Sequence, residues 1–163
     1  MSIQSQILLY SVAMQYFQYS PDENTQLIAS EASRFLKRSR TRGLKYDIIN
    51  VDIYIEGPSD IQDHEYFWSD VSGCLTDKGV SVANIWRHGE FEEKYNRIVG
   101  YHKKLFNTVF EIVNSKTNQV ALFGSQMPIE FLLHPKIDIE AIEMSGLSGV
   151  DFRKHLNNLK VLK

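Results

Sequence analysis

Acidic and imidazole side chains crowd into one short stretch of the sequence, residues 53–67, which reads IYIEGPSDIQDHEYF. An alternating apolar run ends there on Glu56, and a Gly-Pro turn follows. The acidic and imidazole residues after the turn are Asp60, Asp63, His64 and Glu65. Carboxylate oxygens are the hard ligands that Mg²⁺ prefers, and a bound Mg²⁺ stabilises charge on a transferring phosphoryl group. Metal-assisted phosphoryl transfer is therefore the first chemistry to consider for residues 53–67.

The segment IYIEGPSD resembles the start of a Toprim domain, in which a strand ends on a glutamate followed by glycine and, shortly after, by aspartate. The resemblance implies that Glu56 and Asp60 hold Mg²⁺ together with a later Asp-x-Asp at another strand end. In the matching segment VFEIVNSKTN, Asn114 and Ser115 stand in place of those aspartates. An amide or hydroxyl cannot supply the negative charge that such a site needs.

A second interpretation of the same stretch is structural. The Gly-Pro turn, capped by Ser59 or Asp60, leads into a helix with acids in its first turn. The remaining Asp-x-acid pair, at Asp138 and Glu140, lies in a segment that fits either a strand or a helix. The five histidines and the lone Cys74 show no zinc-ligand spacing. We therefore predict no catalytic residue, no bound metal and no cofactor.

The composition indicates one globular domain over residues 1–163, since 43% of the chain is apolar and 23% is charged. A net charge of −2 gives no bulk attraction to nucleic acid or to an anionic membrane, so we expect neither as a partner. The single cysteine fits a reducing compartment. The N-terminus lacks the positive region of a signal peptide, and a cytoplasmic location is the expectation.

Residue spacing predicts an α+β domain whose mixed or antiparallel sheet packs on helices. The clearest signal is Ser20-Pro21, which predicts a helix that begins there, buries Leu36 among other apolar residues and ends at Gly43. Residues 44–56 are predicted as a strand that turns Ile49, Val51, Ile53 and Ile55 inward. The other predictions are helices over 61–76 and 90–106, strands over 80–86 and 129–133, a hairpin over 106–126, and a closing helix that buries Phe152, Leu156, Leu159 and Leu162. Residues 7–19 and 136–143 fit either state, with 7–19 leaning towards helix.

Two surfaces follow from these elements. The outward face of the 44–56 strand and the loop beyond it predict a partner-binding surface that combines acids with tyrosines. Its members are Asp52, Tyr54, Glu56, Asp60, Asp63, Glu65 and Tyr66. A basic run is a candidate anion-binding surface, although cations that complement a helix C-terminus are the favoured interpretation. Its members are Arg34, Lys37, Arg38, Arg40, Arg42 and Lys45. In the segment WRHGEF, we expect Trp86 in the core and Arg87 in solvent.

Without a catalytic motif, these features favour a non-enzymatic protein that binds another protein with a basic surface. The concrete version is an immunity protein, an inhibitor that neutralises a bacterial toxin such as a nuclease. A divergent metal-dependent phosphodiesterase that uses Glu56, Asp60 and Asp138 or Glu140 is the first alternative. A small RNA-binding module that uses residues 34–45 is the second.

Overall fold

The computed structural model describes residues 12, 14–16, 26, 28–53, 61–114, 116–131, 142–146, 148, 151 and 158–163, and every structural statement below concerns these residues. The helices whose two ends are described are α1 (Ala32–Thr41), α2 (Glu65–Gly73) and α3 (Phe91–Leu105), and residues 142–146 are helical as well. Five strands are β1 (Tyr46–Val51), β2 (Leu75–Trp86), β3 (Thr108–Asn114), β4 (Gln119–Ser125) and β5 (Leu159–Val161). Short 3₁₀ turns span Ile61–Asp63 and Ile129–Phe131. The predicted α+β class is confirmed.

The five strands form one mixed sheet in the order β1-β2-β4-β3-β5. Strands β1 and β2 are parallel and are connected through α2, with Val51 beside Ala83. Every other pairing is antiparallel. Because β1 and β2 run in the same direction, their carboxyl ends lie side by side at one edge of the sheet, which is where open α/β sheets usually bind ligands.

The sheet has one face that is fully buried and one that is partly open. Along β2, Ser81, Ala83 and Ile85 are buried, whereas Val82 and Asn84 between them are half-buried. The buried face packs on the helices around the side chains Trp68, Phe67, Ile98, Phe106 and Leu122, none of which is more than 1% exposed. Among the described residues, no helix combines the length and the apolar character needed to cross a membrane.

Helix α1 begins eleven residues later than the sequence predicted, because residues 28–31 are not helical and Ala32 is its first residue. Its N-cap is Glu31, whose carboxylate accepts hydrogen bonds from the backbone N–H groups of Ser33 and Arg34. A hydrogen bond from the Ser33 hydroxyl, together with these two backbone bonds, lowers the pKa of Glu31. The backbone bonds also satisfy two donors that a helix start leaves free. The predicted end is confirmed, since Gly43 follows the helix with a positive φ of 66°.

Most element predictions between residues 44 and 126 are confirmed. Strand β1 buries Val51 and exposes Asp52, which is the predicted choice of faces. Helix α3 buries Tyr95, Ile98 and His102, and the chain turns at residues 116–118 between β3 and β4. Residues 61–76 are not a single helix, because α2 ends at Gly73 and Leu75 already belongs to β2. Residues 12 and 14–16 are helical, in line with the leaning for 7–19.

Two predictions near the C-terminus are wrong. Residues 129–131 form a 3₁₀ turn rather than a strand, and Leu159–Val161 form strand β5 rather than the end of a helix. The physical reason is the open edge of β3, where Val109 accepts a hydrogen bond from Leu162 and donates one to Lys163. The predicted positions Phe152 and Leu156 lie outside the described residues.

Candidate functional site

The predicted partner-binding surface is only partly described by the structure. Tyr54, Glu56 and Asp60 lie outside the described residues, as do the alternative metal ligands Asp138 and Glu140. Asp52 is exposed just after the end of β1. Asp63, Glu65 and Tyr66 lie at or before the first turn of α2, where the Tyr66 ring is 54% exposed and stacks on His64.

Asp63 and Glu65 bind cations of this same chain. The guanidinium of Arg97 on α3 donates two hydrogen bonds to the Asp63 carboxylate, of 2.8 and 2.7 Å. These bonds hold the pKa of Asp63 below its usual value. Lys104, further along α3, forms an ion pair with Glu65. The two acids therefore fasten the start of α2 to α3, which the sequence could not indicate because the partners are more than thirty positions away.

Gln62 fixes this segment beside the end of β1. Its side-chain Nε2 donates a 3.0 Å hydrogen bond to the carbonyl of Ile53, and its own carbonyl accepts a 2.7 Å bond from the buried indole N–H of Trp68. The segment 61–63 is thereby anchored next to the carboxyl end of β1. Asp52, the residue before Ile53, stands at the centre of the edge that results.

A carboxylate and an amide meet at this edge. Asn84 of β2 lies next to Asp52, and its Nδ2 donates a 3.4 Å hydrogen bond to Asp52 Oδ1. In the part of the chain that the structure describes, the second carboxylate oxygen has no hydrogen-bond partner. The amide orients an exposed carboxylate whose other oxygen remains available to a ligand.

Aromatic rings continue the edge beyond Asn84. Trp86 follows Asn84 by two residues, so it lies on the same face of β2 about 7 Å further along. Its ring contacts those of His88 and Phe91, with centroids 5.2 and 6.4 Å away, and Trp86 and Phe91 are each 37% exposed. The expectation that Trp86 lies in the core is wrong, whereas the Arg87 side chain keeps about a third of its surface in solvent. We call Asp52, Asn84, Trp86, His88 and Phe91 the edge cluster.

The edge cluster has the chemistry of a cation site. A carboxylate binds an ammonium group through a charge-assisted hydrogen bond, and the faces of Trp and Phe attract a cation that lies over them. Sequence reasoning treated Trp86 and Asp52 separately. The alternation of side chains between the two faces of β2 was the signal that could have connected Trp86 with Asp52. It places Asn84 and Trp86 on the same face, and Asn84 lies next to Asp52.

The basic run divides into two groups. Arg40 Nη1 lies 2.8 Å from Asp70 Oδ1, and Lys45 Nζ donates a 2.8 Å hydrogen bond to the carbonyl of Gly73 at the end of α2. These two cations hold α1 and α2 together, which agrees with a structural role. The four others, which are exposed, are Arg34, Lys37, Arg38 and Arg42.

Metal and thiol chemistry find no support among the described residues. These residues contain no group of three His, Cys, Asp or Glu side chains placed to hold a metal ion. Cys74 is fully buried, and burial together with nearby Asp70 raises the pKa of its thiol. A buried thiol with a raised pKa is a poor nucleophile.

Comparison with known proteins finds a curated relative and solved structures of similar fold. No family model matches it. A polyamine aminopropyltransferase from Vibrio vulnificus (strain CMCP6) is 28% identical over 117 residues, which are 68% of this chain and 37% of that protein. The chain therefore spans little more than a third of the length of this curated relative.

Two solved structures share the fold. Human methyltransferase-like protein 13, solved in complex with SAH, superposes with a TM-score of 0.71 at 18% identity and covers 93% of this chain and 68% of its own. A probable spermidine synthase from Corynebacterium glutamicum ATCC 13032 superposes with a TM-score of 0.61 at 15% identity, over 74% of this chain and 45% of its own.

These relationships overturn the functional prediction made from the sequence. The relative and the structural neighbours point to a fold of the S-adenosylmethionine-dependent methyltransferase and spermidine synthase type, so the interpretation as an immunity protein or toxin inhibitor is wrong. That interpretation assumed that catalysis requires a recognisable motif. A transferase that works by positioning its substrates has no such requirement.

Proposed function

We propose that this chain forms part of a transferase that moves an alkyl group from an S-adenosyl sulfonium donor to an acceptor amine, and that the edge cluster binds the amine. The name of the Vibrio vulnificus relative supports a polyamine acceptor, and the two structural neighbours support the same class of fold. Since the chain spans 37% of that relative, the proposal concerns the amine-binding part of the reaction.

The observation that carries the proposal is the position of the Asp52 carboxylate. It is exposed at the carboxyl end of β1, oriented by Asn84 through one oxygen, with aromatic rings next along β2. A primary ammonium can donate to the free oxygen while its methylene chain lies against Trp86 and Phe91. A neutral or anionic acceptor would not gain from this combination of groups.

The edge cluster also has a role in the transfer step. A bound S-adenosyl donor would supply the alkyl group. The amine becomes a nucleophile only after losing a proton, and Asp52 is the group placed to hold the ammonium, accept that proton and leave the nitrogen lone pair free. Formation of the new N–C bond is then matched by cleavage of the sulfonium C–S bond. Trp86 and Phe91 orient the methylene chain and exclude water from one side of it.

Two expectations from the sequence remain part of this proposal. They are a cytoplasmic location and the absence of nucleic acid and membrane partners. A protein partner with a basic surface also stays a prediction, although Asp63 and Glu65 already have partners on α3.

Isothermal titration with spermidine and with putrescine tests the proposal. We expect Asp52→Asn to weaken binding about tenfold, because a charge-assisted bond of about 1.4 kcal/mol is lost. Trp86→Ala should weaken the binding of spermidine more than that of putrescine, since the longer methylene chain of spermidine covers more of the ring surface. Asp77→Asn, which removes an exposed aspartate elsewhere on β2, is the matched control and should bind as the wild type does.

Circular dichroism and thermal unfolding of each variant establish that the fold is retained. Two results would refute the proposal. One is binding that Asp52→Asn and Asp77→Asn weaken equally. The other is no binding of either amine at millimolar concentration.

A further inference from the structure

A second cluster of charged groups lies beneath α3, on the buried face of the sheet. Its centre is Glu111 of β3, which is fully buried and pairs with Leu122 on one side and Lys160 on the other. The hydroxyl of Tyr95 on α3 donates a short hydrogen bond to Glu111 Oε2. Burial and this hydrogen bond raise the pKa of the Tyr95 hydroxyl, so it remains a donor at neutral pH.

Two cations approach the other oxygen of Glu111 without reaching hydrogen-bond distance. Arg87 Nη1 is 3.6 Å and Lys160 Nζ is 3.5 Å from Glu111 Oε1. That oxygen is buried and has no hydrogen-bond partner in the described part of the chain. The ion pair between Arg97 and Asp63 is much shorter, with Arg97 Nη2 2.7 Å from Asp63 Oδ2.

The guanidinium of Arg87 is held in place by its surroundings. It lies over the Tyr95 ring, 4.9 Å from the centroid, and the backbone N–H of Arg87 donates a 3.0 Å bond to the carbonyl of Asn118 in the hairpin turn. The side chain is 36% exposed, and among the described residues its guanidinium donates no hydrogen bond. A planar set of five donors is therefore fixed at the sheet edge with its hydrogen-bonding capacity unused.

The charges of the cluster favour an anion. One carboxyl group faces two cationic side chains, so cationic groups outnumber acidic ones beside the partly buried guanidinium. Guanidinium forks bind planar oxyanions through two parallel hydrogen bonds, and low local solvation strengthens such bonds. Both cations lie at ion-pair distance from Glu111 Oε1, yet neither forms a hydrogen bond with it.

We propose that Arg87, assisted by Lys160, binds an oxyanion, either a carboxylate or a phosphate group of a ligand. This site does not depend on amine binding. Trp86 and Arg87 are consecutive, yet Trp86 joins the edge cluster whereas Arg87 contacts Tyr95 and Glu111 on the α3 side.

The test is an NMR titration that follows the Nε–Hε signals of the arginines at constant ionic strength, with sodium acetate in one arm and inorganic phosphate in the other. We expect saturable movement of the Arg87 signal and its loss in Arg87→Gln. Glu111→Gln removes a nearby negative charge while keeping the side-chain shape, so it should tighten anion binding by about fivefold. Arg34→Gln removes an exposed arginine elsewhere and is the matched control.

The two arms distinguish the sources of the oxyanion, because saturation by phosphate alone indicates a phosphorylated ligand and saturation by acetate indicates a carboxylate. Equal loss of binding in Arg87→Gln and Arg34→Gln would overturn the proposal, as would an Arg87 signal that does not move. If Glu111→Gln does not fold, Lys160→Met takes its place, since Lys160 is 65% exposed. Binding about threefold weaker supports the site, and unchanged binding refutes the assisting role of Lys160.

Discussion

Acidification should destabilise this protein through His102, well before its carboxylates are protonated. His102 is fully buried between Trp68 and Phe106, with ring centroids 4.4 and 5.0 Å away. Its Nδ1 lies 2.9 Å from the carbonyl of Ile98, so the neutral ring donates there and carries its lone pair on Nε2. Nε2 has no hydrogen-bond partner in the described residues, and a proton placed on it would have no acceptor.

The size of the effect follows from the two pKa values. Burial lowers the pKa of His102 from 6.5 to about 4 in the folded protein. Below pH 6.5 the unfolded chain takes up a proton that the folded protein refuses, so stability falls as the pH falls. The free energy of unfolding should drop by about 2 kcal/mol between pH 7.5 and 5, and by about 3 kcal/mol once the pH is below 4.

Urea unfolding at closely spaced pH values measures this loss. His102→Phe, which keeps a ring between Trp68 and Phe106 without a titrating group, should remove the slope between pH 6.5 and 4.5. Carboxylates with lowered pKa, such as Asp63, lose their contribution at lower pH and do not interfere in this window. The reasoning is wrong if wild type and His102→Phe lose the same free energy between pH 7.5 and 5.

Two further predictions concern the core. Gly124→Ala should cost about 1–3 kcal/mol in urea unfolding, because its Cβ would stand 2.7 Å from the buried Phe106 ring. In the control Gly100→Ala on α3, the added Cβ meets nothing within 4 Å, so this substitution should raise the free energy of unfolding by about 0.5–1 kcal/mol. Equal effects of the two substitutions would contradict the packing argument. Cys74 should react with a thiol reagent about a hundredfold more slowly in the native protein than in urea. Labelling at the unfolded rate in native buffer would show that its burial is not maintained.

Local patterns predicted the elements that bury one stripe of side chains. Ile49, Val51 and Ile53 alternate with the polar residues Asn50 and Asp52, and α3 carries acids first and lysines last, so each element could be assigned from its own residues. Strand β5 could not be assigned in this way. The three-residue spacing of Leu159 and Leu162 favours a helix. Pairing with the open edge of β3 outweighed this local preference.

The candidate sites depended on contacts between distant residues, and these were less predictable. Asp63 looked like part of an interaction surface until Arg97 was found beside it. Glu111, in the apolar run VFEIV, carried no sign that Arg87 and Tyr95 would surround it. The absence of a motif also misdirected the functional interpretation, because the amine binding that we propose needs only a carboxylate and a ring at one sheet edge, at any spacing in sequence.

The position of β5 has a consequence for the order in which the chain folds. Hairpin β3–β4 is local and can form as soon as both strands have left the ribosome, whereas β5 must close a long loop before it pairs with β3. Until then β3 presents its outer backbone groups, including those of Val109, to any neighbouring chain. The yield of folded protein therefore depends on the rate at which β5 pairs with β3 relative to the rate at which the same edge pairs with another molecule.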